Sequence, residues 1–90
     1  MLVKFSRIFL DDLEQIGDRK LKARIIKTIV KIDEASSLDD IPNLKKLHGT
    51  NDHYRLRLGD YRFGLIVRDD TVIFVRFLHR KEIYRYFRAK

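Results

Sequence analysis

The sequence predicts an α+β domain: a small antiparallel β-sheet with an N-terminal α-helical hairpin packed on one face. Three observations predict it. Apolar residues recur at helical spacing between residues 8 and 32, they alternate strictly with polar ones at 54–58, and a run apolar on both faces occupies 71–78. The expected order is β-α-α-β-β-β-α, in one domain over residues 1–90, because 90 residues bury a single compact core.

Leu2–Phe5 reads as a short strand, and Ser6 as the N-cap of a helix marked by Ile8, Phe9, Leu13 and Ile16. Gly17 closes that helix, and Asp18 caps a second one. Leu21, Ile25, Ile26, Ile29, Val30 and Ile32 mark its apolar face, which fades near Ala35-Ser36-Ser37. The pair is a helical hairpin with a very short turn. A polar segment with the chain's one proline, Pro42, follows, and Asn43–Leu47 reads as a short turn of helix. Gly49–Asp52 reads as loop. Tyr54–Leu58 and Tyr61–Val67 are strands joined by the two-residue turn Gly59-Asp60, and Asp69-Asp70 turns the chain into the strand Thr71–Leu78. Residues 80–88 read as a closing helix.

Charge divides the chain. Residues 1–42 hold eight Lys/Arg against eight Asp/Glu, whereas residues 43–90 hold twelve against five, so the whole excess of +7 lies in the second half. Such asymmetry points to a polyanionic partner, a nucleic acid or an acidic protein segment. With no cysteine, disulfides and thiolate metal sites are excluded. No run approaches the roughly 20 apolar residues of a membrane span. Met1-Leu2-Val3-Lys4 does not begin a secretory signal, so a cytoplasmic location is expected.

The Gly59-Asp60 turn fixes a register. Leu58 pairs with Tyr61, Arg57 with Arg62, Leu56 with Phe63 and Arg55 with Gly64. Tyr54, Leu56, Leu58, Tyr61, Phe63 and Leu65 then share the apolar face, and Arg55, Arg57 and Arg62 the other. Like charges placed across a strand pair cost about 0.2–1 kcal/mol, which a bound anion would relieve. Gly64 leaves room for a ligand to approach, or else marks a bulge. Carrying the pairing through Asp69-Asp70 sets Arg62 opposite Phe77 and puts Val75, Phe77 and His79 on the arginine face, with Arg80 and Tyr84 following at once. Arg76 falls on the helix side.

This set lacks a carboxylate pair, a Ser-His-Asp arrangement, a cysteine nucleophile and a glycine-rich phosphate loop, and three scattered histidines make no metal site. It suits a phosphodiester beside a 2′-hydroxyl. There the substrate brings its own nucleophile, arginines neutralise the pentacoordinate phosphorus, and an aromatic ring stacks on a splayed base.

The runs Lys45-Lys46-Leu47-His48-Gly49, Tyr54-Arg55-Leu56-Arg57-Leu58-Gly59-Asp60-Tyr61-Arg62 and Phe77-Leu78-His79-Arg80-Lys81-Glu82-Ile83-Tyr84 resemble the RelE/ParE superfamily of type II toxins across essentially the whole chain. The resemblance implies a toxin that enters the ribosomal A site and cuts messenger RNA by 2′-hydroxyl attack, leaving a cyclic phosphate, with no metal or cofactor. By position, Arg57 would activate the nucleophile or hold the phosphate. Arg62 would stabilise the transition state, Arg80 the leaving side, and Tyr84 would stack on or orient the substrate. His79 is an additional acid-base candidate, and Lys45, Lys46 and Arg55 are RNA contacts. A general base is not placed. The resemblance also implies a cognate antitoxin, expected to lay an acidic segment over the basic sheet or displace the closing helix, and a toxin–antitoxin complex that binds operator DNA. Two alternatives share the scaffold or the charge: a ParE-like inhibitor of DNA gyrase, and a non-catalytic nucleic-acid-binding relative.

Overall fold

A computed structural model describes residues 1–88. The elements run β1 (Leu2–Phe5), α1 (Arg7–Glu14), α2 (Arg19–Glu34), a 3-10 turn (Leu38–Asp40), β2 (Leu44–Lys46), β3 (His53–Leu58), β4 (Tyr61–Arg68), β5 (Thr71–His79) and α3 (Ile83–Tyr86). The five strands form one sheet in the order β1-β5-β4-β3-β2.

The α+β class and the order of the long elements agree with the sequence reading. Three features differ. β1 pairs with β5 in parallel, giving an otherwise antiparallel sheet one parallel edge. Asn43–Leu47 is not helical: Leu44–Lys46 forms the edge strand β2, antiparallel to β3. Asn43, just after Pro42, takes a φ of 65° and turns the chain into that strand. The closing helix shrinks to the single turn Ile83–Tyr86.

The helix caps lie where the side chains dictate. Ser6 Oγ accepts from the N–H of Phe9 at 3.0 Å, and Asp18 Oδ1 accepts from Lys20 and Leu21 at 2.9 and 3.2 Å. Leu21, Ile25 and Ile32 of α2 are buried, while Ile26 and Val30 stay exposed, so the buried stripe is narrower than the apolar one. With Phe9 of α1 they meet Leu56, Phe63, Leu65, Val72, Phe74 and Phe77 of the sheet. The rings interlock, with Phe9 and Phe74 centred 5.2 Å apart and Phe63 and Phe77 4.8 Å apart.

One irregularity governs the rest. Gly64 pairs with Arg76, but its neighbour Leu65 pairs with Phe74, so Val75 is an extra residue in β5. The N-cap of α1 and one residue within it hold this bulge. Ser6 Oγ donates to the Val75 carbonyl at 2.9 Å while capping the helix. Asp12 accepts from the Phe77 N–H at 2.9 Å and grips Arg76 with both oxygens, at 2.9 and 3.1 Å.

Candidate active site

Both hairpin turns hold two residues, as expected: Leu58 pairs with Tyr61 and Arg68 with Thr71. Gly59 has φ +59° at the first central position of its turn, where a side chain is disfavoured. The register therefore sets Arg57 directly opposite Arg62 and Arg55 opposite Gly64, with all three arginines on one face. Lys45 lies across from Arg55 and joins that face, whereas Lys46 lies across from Tyr54 and belongs to the other.

Past the bulge the expected pairing slips by one residue. Arg62 lies opposite Leu78, not Phe77; Phe77 is buried in the helix-side core. His79 pairs with Tyr61 and meets its ring edge-on at 5.4 Å. It is therefore on the helix side and not on the arginine face, and its Nδ1 accepts the Lys81 N–H at 3.1 Å. Arg76 reverses the other way. It lies opposite Gly64 and runs along the sheet edge between Asp12 of α1 and the Tyr86 ring of α3, 5.2 Å from its centroid. Both corrections have one cause: a single inserted residue inverts every side chain beyond it.

The same slip brings Arg80 to the hairpin turn. Its N–H donates to the Asp60 carbonyl at 2.8 Å, and its Nε stands 4.0 Å from Asp60 Oδ1. Arg57, Arg62 and Arg80 thus line one open depression, together with Arg24 of α2, Asn43 and Asp60. Arg57 Nη2 donates to Asn43 Oδ1 at 3.2 Å. Arg62 Nη1 donates to the Gly59 and Tyr61 carbonyls, at 2.8 and 2.9 Å, which turns the guanidinium back over the turn. Partial burial pushes the Arg62 pKa below its ordinary value, and the charges of Arg55, Arg57 and Arg80 push in the same direction, opposed by Tyr84. Tyr84, on α3, is about half exposed.

The space above Gly64 is not open to a ligand. Phe87 fills it, so closely that a Cβ on Gly64 would lie 2.6 Å from the ring. Phe87 also stacks on His53 at 5.2 Å, and Ile83 is fully buried beside it. These contacts dock α3, which carries Tyr84, on the arginine face. Sequence reasoning missed Arg24 and Asn43. Asn after proline is a signal for a left-handed turn, but Arg24 is one of several cations on the polar face of α2, and nothing in its spacing singles it out.

Residues 3–84 match the family described as ParE toxin of type II toxin-antitoxin system, parDE. This chain belongs to the RelE/ParE superfamily of type II toxins. Toxin RelE3 of Methanocaldococcus jannaschii is 41% identical to this toxin over 88 residues, which span 97% of this chain and 99% of RelE3. A chain of the RelB-RelE antitoxin-toxin complex from Methanococcus jannaschii shares 38% identity at a TM-score of 0.80, over 93% of this toxin and 98% of that chain. The archaeal RelE-RelB complex from Pyrococcus horikoshii OT3 shows the same fold, with a TM-score of 0.72 at 24% identity over 88% of this toxin and 93% of that chain.

Proposed function

We propose that this toxin is a metal-independent endoribonuclease that acts in the cytoplasm, entering the ribosomal A site and cutting messenger RNA there. The observation that carries the reading is the convergence of Arg57, Arg62 and Arg80 on one depression, with a half-exposed Tyr84 on the short helix α3. Arg57 orients the 2′-hydroxyl and the adjacent phosphate. The 2′-hydroxyl gives its proton to water as its oxygen attacks phosphorus, the bond to the 5′-oxygen breaks, that oxygen takes a proton from water, and a 2′,3′-cyclic phosphate and a 5′-hydroxyl end result. Arg62, its guanidinium held by the Gly59 and Tyr61 carbonyls, and Arg80 stabilise the charge that builds on the phosphoryl and leaving oxygens. Tyr84 stacks on the base beside the cut. Lys45 and Arg55 hold flanking phosphates, with Lys46 at the sheet edge. His79, turned toward Tyr61, is given no step.

The relatives sharing more than a third of their residues with this chain carry the RelE name, which favours this reading over gyrase inhibition. Because the solved relatives include RelB–RelE complexes, the partner proposed here is a cognate antitoxin. An acidic segment of it would cover the basic sheet or displace α3, and the complex would bind operator DNA.

The test is to add the purified toxin to a cell-free translation reaction and map messenger RNA 3′ ends. Ribosome-dependent cuts in the A-site codon are expected, reduced at least about 100-fold in an Arg62→Ala, Arg80→Ala variant. Undiminished cutting by that variant would remove the assigned site, and intact messenger RNA with folded wild-type toxin would remove the activity.

A further inference from the structure

Arg24 belongs to α2, in the layer opposite the arginine face, yet its guanidinium reaches the β3–β4 turn. A Cβ built on Gly59 would lie 3.5 Å from Arg24 Nη1 and 3.7 Å from Nη2. Arg62 approaches the same residue from the other face, its Nη1 2.8 Å from the Gly59 carbonyl oxygen. The turn thus carries a guanidinium on each side. Glycine, with φ +59°, closes the turn, and the Arg24 guanidinium packs where a side chain would otherwise project. Arg24 makes no side-chain hydrogen bond or ion pair with any other described residue. The depression holds four guanidiniums against the single carboxylate of Asp60, a balance of +3 (4 − 1). Crowded like charges do not stabilise a turn; a polyanion laid across it relieves them.

We propose that Arg24 is a second phosphate-contact point of the RNA site, gripping a phosphodiester beside the scissile one, so that the strand crosses the Gly59-Asp60 turn from the arginine face toward α2. The proposal rests on the ribonuclease reading above. A planar guanidinium suits two-point contact with phosphate. An acidic polypeptide fits the depression less well, because Leu58 is the one large apolar side chain it offers to bury.

The experiment measures binding of 2′-O-methyl oligoribonucleotides, two to four nucleotides long and resistant to this cleavage, to the whole toxin across a salt series. In Arg24→Ala the slope of log K against log salt falls by about 0.7, the value of one phosphate contact on a single strand. The gain in affinity on lengthening the oligonucleotide is lost with it. Arg24→Lys keeps the slope. Lys31→Ala, farther along α2 in the depression shared with Lys27 and Glu34, leaves it unchanged. An Arg24→Ala slope equal to that of the wild type overturns the proposal. So do equal losses from Arg24→Ala and Lys31→Ala, a loss confined to binding of poly-glutamate, or no measurable RNA binding by the wild type. Failure of the ribonuclease reading appears separately, as intact messenger RNA in the translation reaction, since the binding measurement needs no cleavage.

Discussion

On the helix side of the sheet, Phe9, Phe63, Phe74 and Phe77 bury themselves completely against α1 and α2. On the opposite side, Arg57 stands across from Arg62 and Lys45 across from Arg55, and the apolar cover is Ile83 of the short helix α3 with Phe87 just after it. The first arrangement follows from burying as much apolar surface as possible. The second does not, since it places like charges where opposite ones would stabilise. The contrast separates residues held in place by the fold from residues that the fold tolerates.

Substitutions can break or sharpen the contrast, and the largest stability effect is expected at the seam between the faces. Asp12→Ala leaves Arg76 and the Phe77 N–H without their partner and unties the bulge. Both side chains of this ion pair are mostly buried, so the loss is about 3 kcal/mol. Urea unfolding measures it, and a change under about 1 kcal/mol would mean that the bulge holds without Asp12. Gly64→Ala comes next. Its methyl group drives Phe87 off the sheet at a cost of about 1–3 kcal/mol. Messenger RNA cleavage falls as well, because Tyr84 moves with α3. Unchanged cleavage in a folded Gly64→Ala protein would detach Tyr84 from the site.

The third expectation has the opposite sign. Arg57→Gln removes a repulsion and stabilises the fold by about 0.2–1 kcal/mol at low salt, an advantage that shrinks as salt rises, while cleavage falls. A variant that loses stability and activity together would make Arg57 an ordinary structural residue. The smallest effect is in acid. Hydrogen bonds from His53 above all, then Arg68 and Thr50, pull the Asp52 pKa from 3.8 to about 2. A carboxylate with a lowered folded pKa stabilises above its unfolded value and loses that contribution as pH falls through the folded one. Melting temperature should therefore drop between about pH 4 and pH 2 by more in the wild type than in Asp52→Asn. Equal drops would show that the Asp52 hydrogen bonds add nothing.

What the sequence revealed follows the same division. The β3–β4 register was legible because Gly59-Asp60 specifies a two-residue turn and strict alternation leaves one way to hide Leu56 and Phe63. Ser6 and Asp18 were legible as caps because few residue types do that work. The bulge was not legible. Thr71–Leu78 is apolar on both faces, so a slip of one residue leaves its pattern equally acceptable, and His79 and Arg76 were placed on the wrong sides in consequence. β2 was hidden because three residues, two of them lysine, carry no period. Phe87 over Gly64 is a long-range contact that local spacing does not encode. The cluster of Arg57, Arg62 and Arg80 survived the slip because Arg80 lies past the end of β5, where the backbone bond to Asp60 fixes its place.

The parallel pairing of Leu2–Phe5 with Thr71–Phe74 has a kinetic meaning. β1 can pair only after β5 has been made, and the Ser6 hydroxyl waits with it for the Val75 carbonyl. Contacts so distant along the chain close late. Arg80 follows β5 in the chain, so the depression it shares with Arg57 and Arg62 is completed only after the last of the five strands has been made.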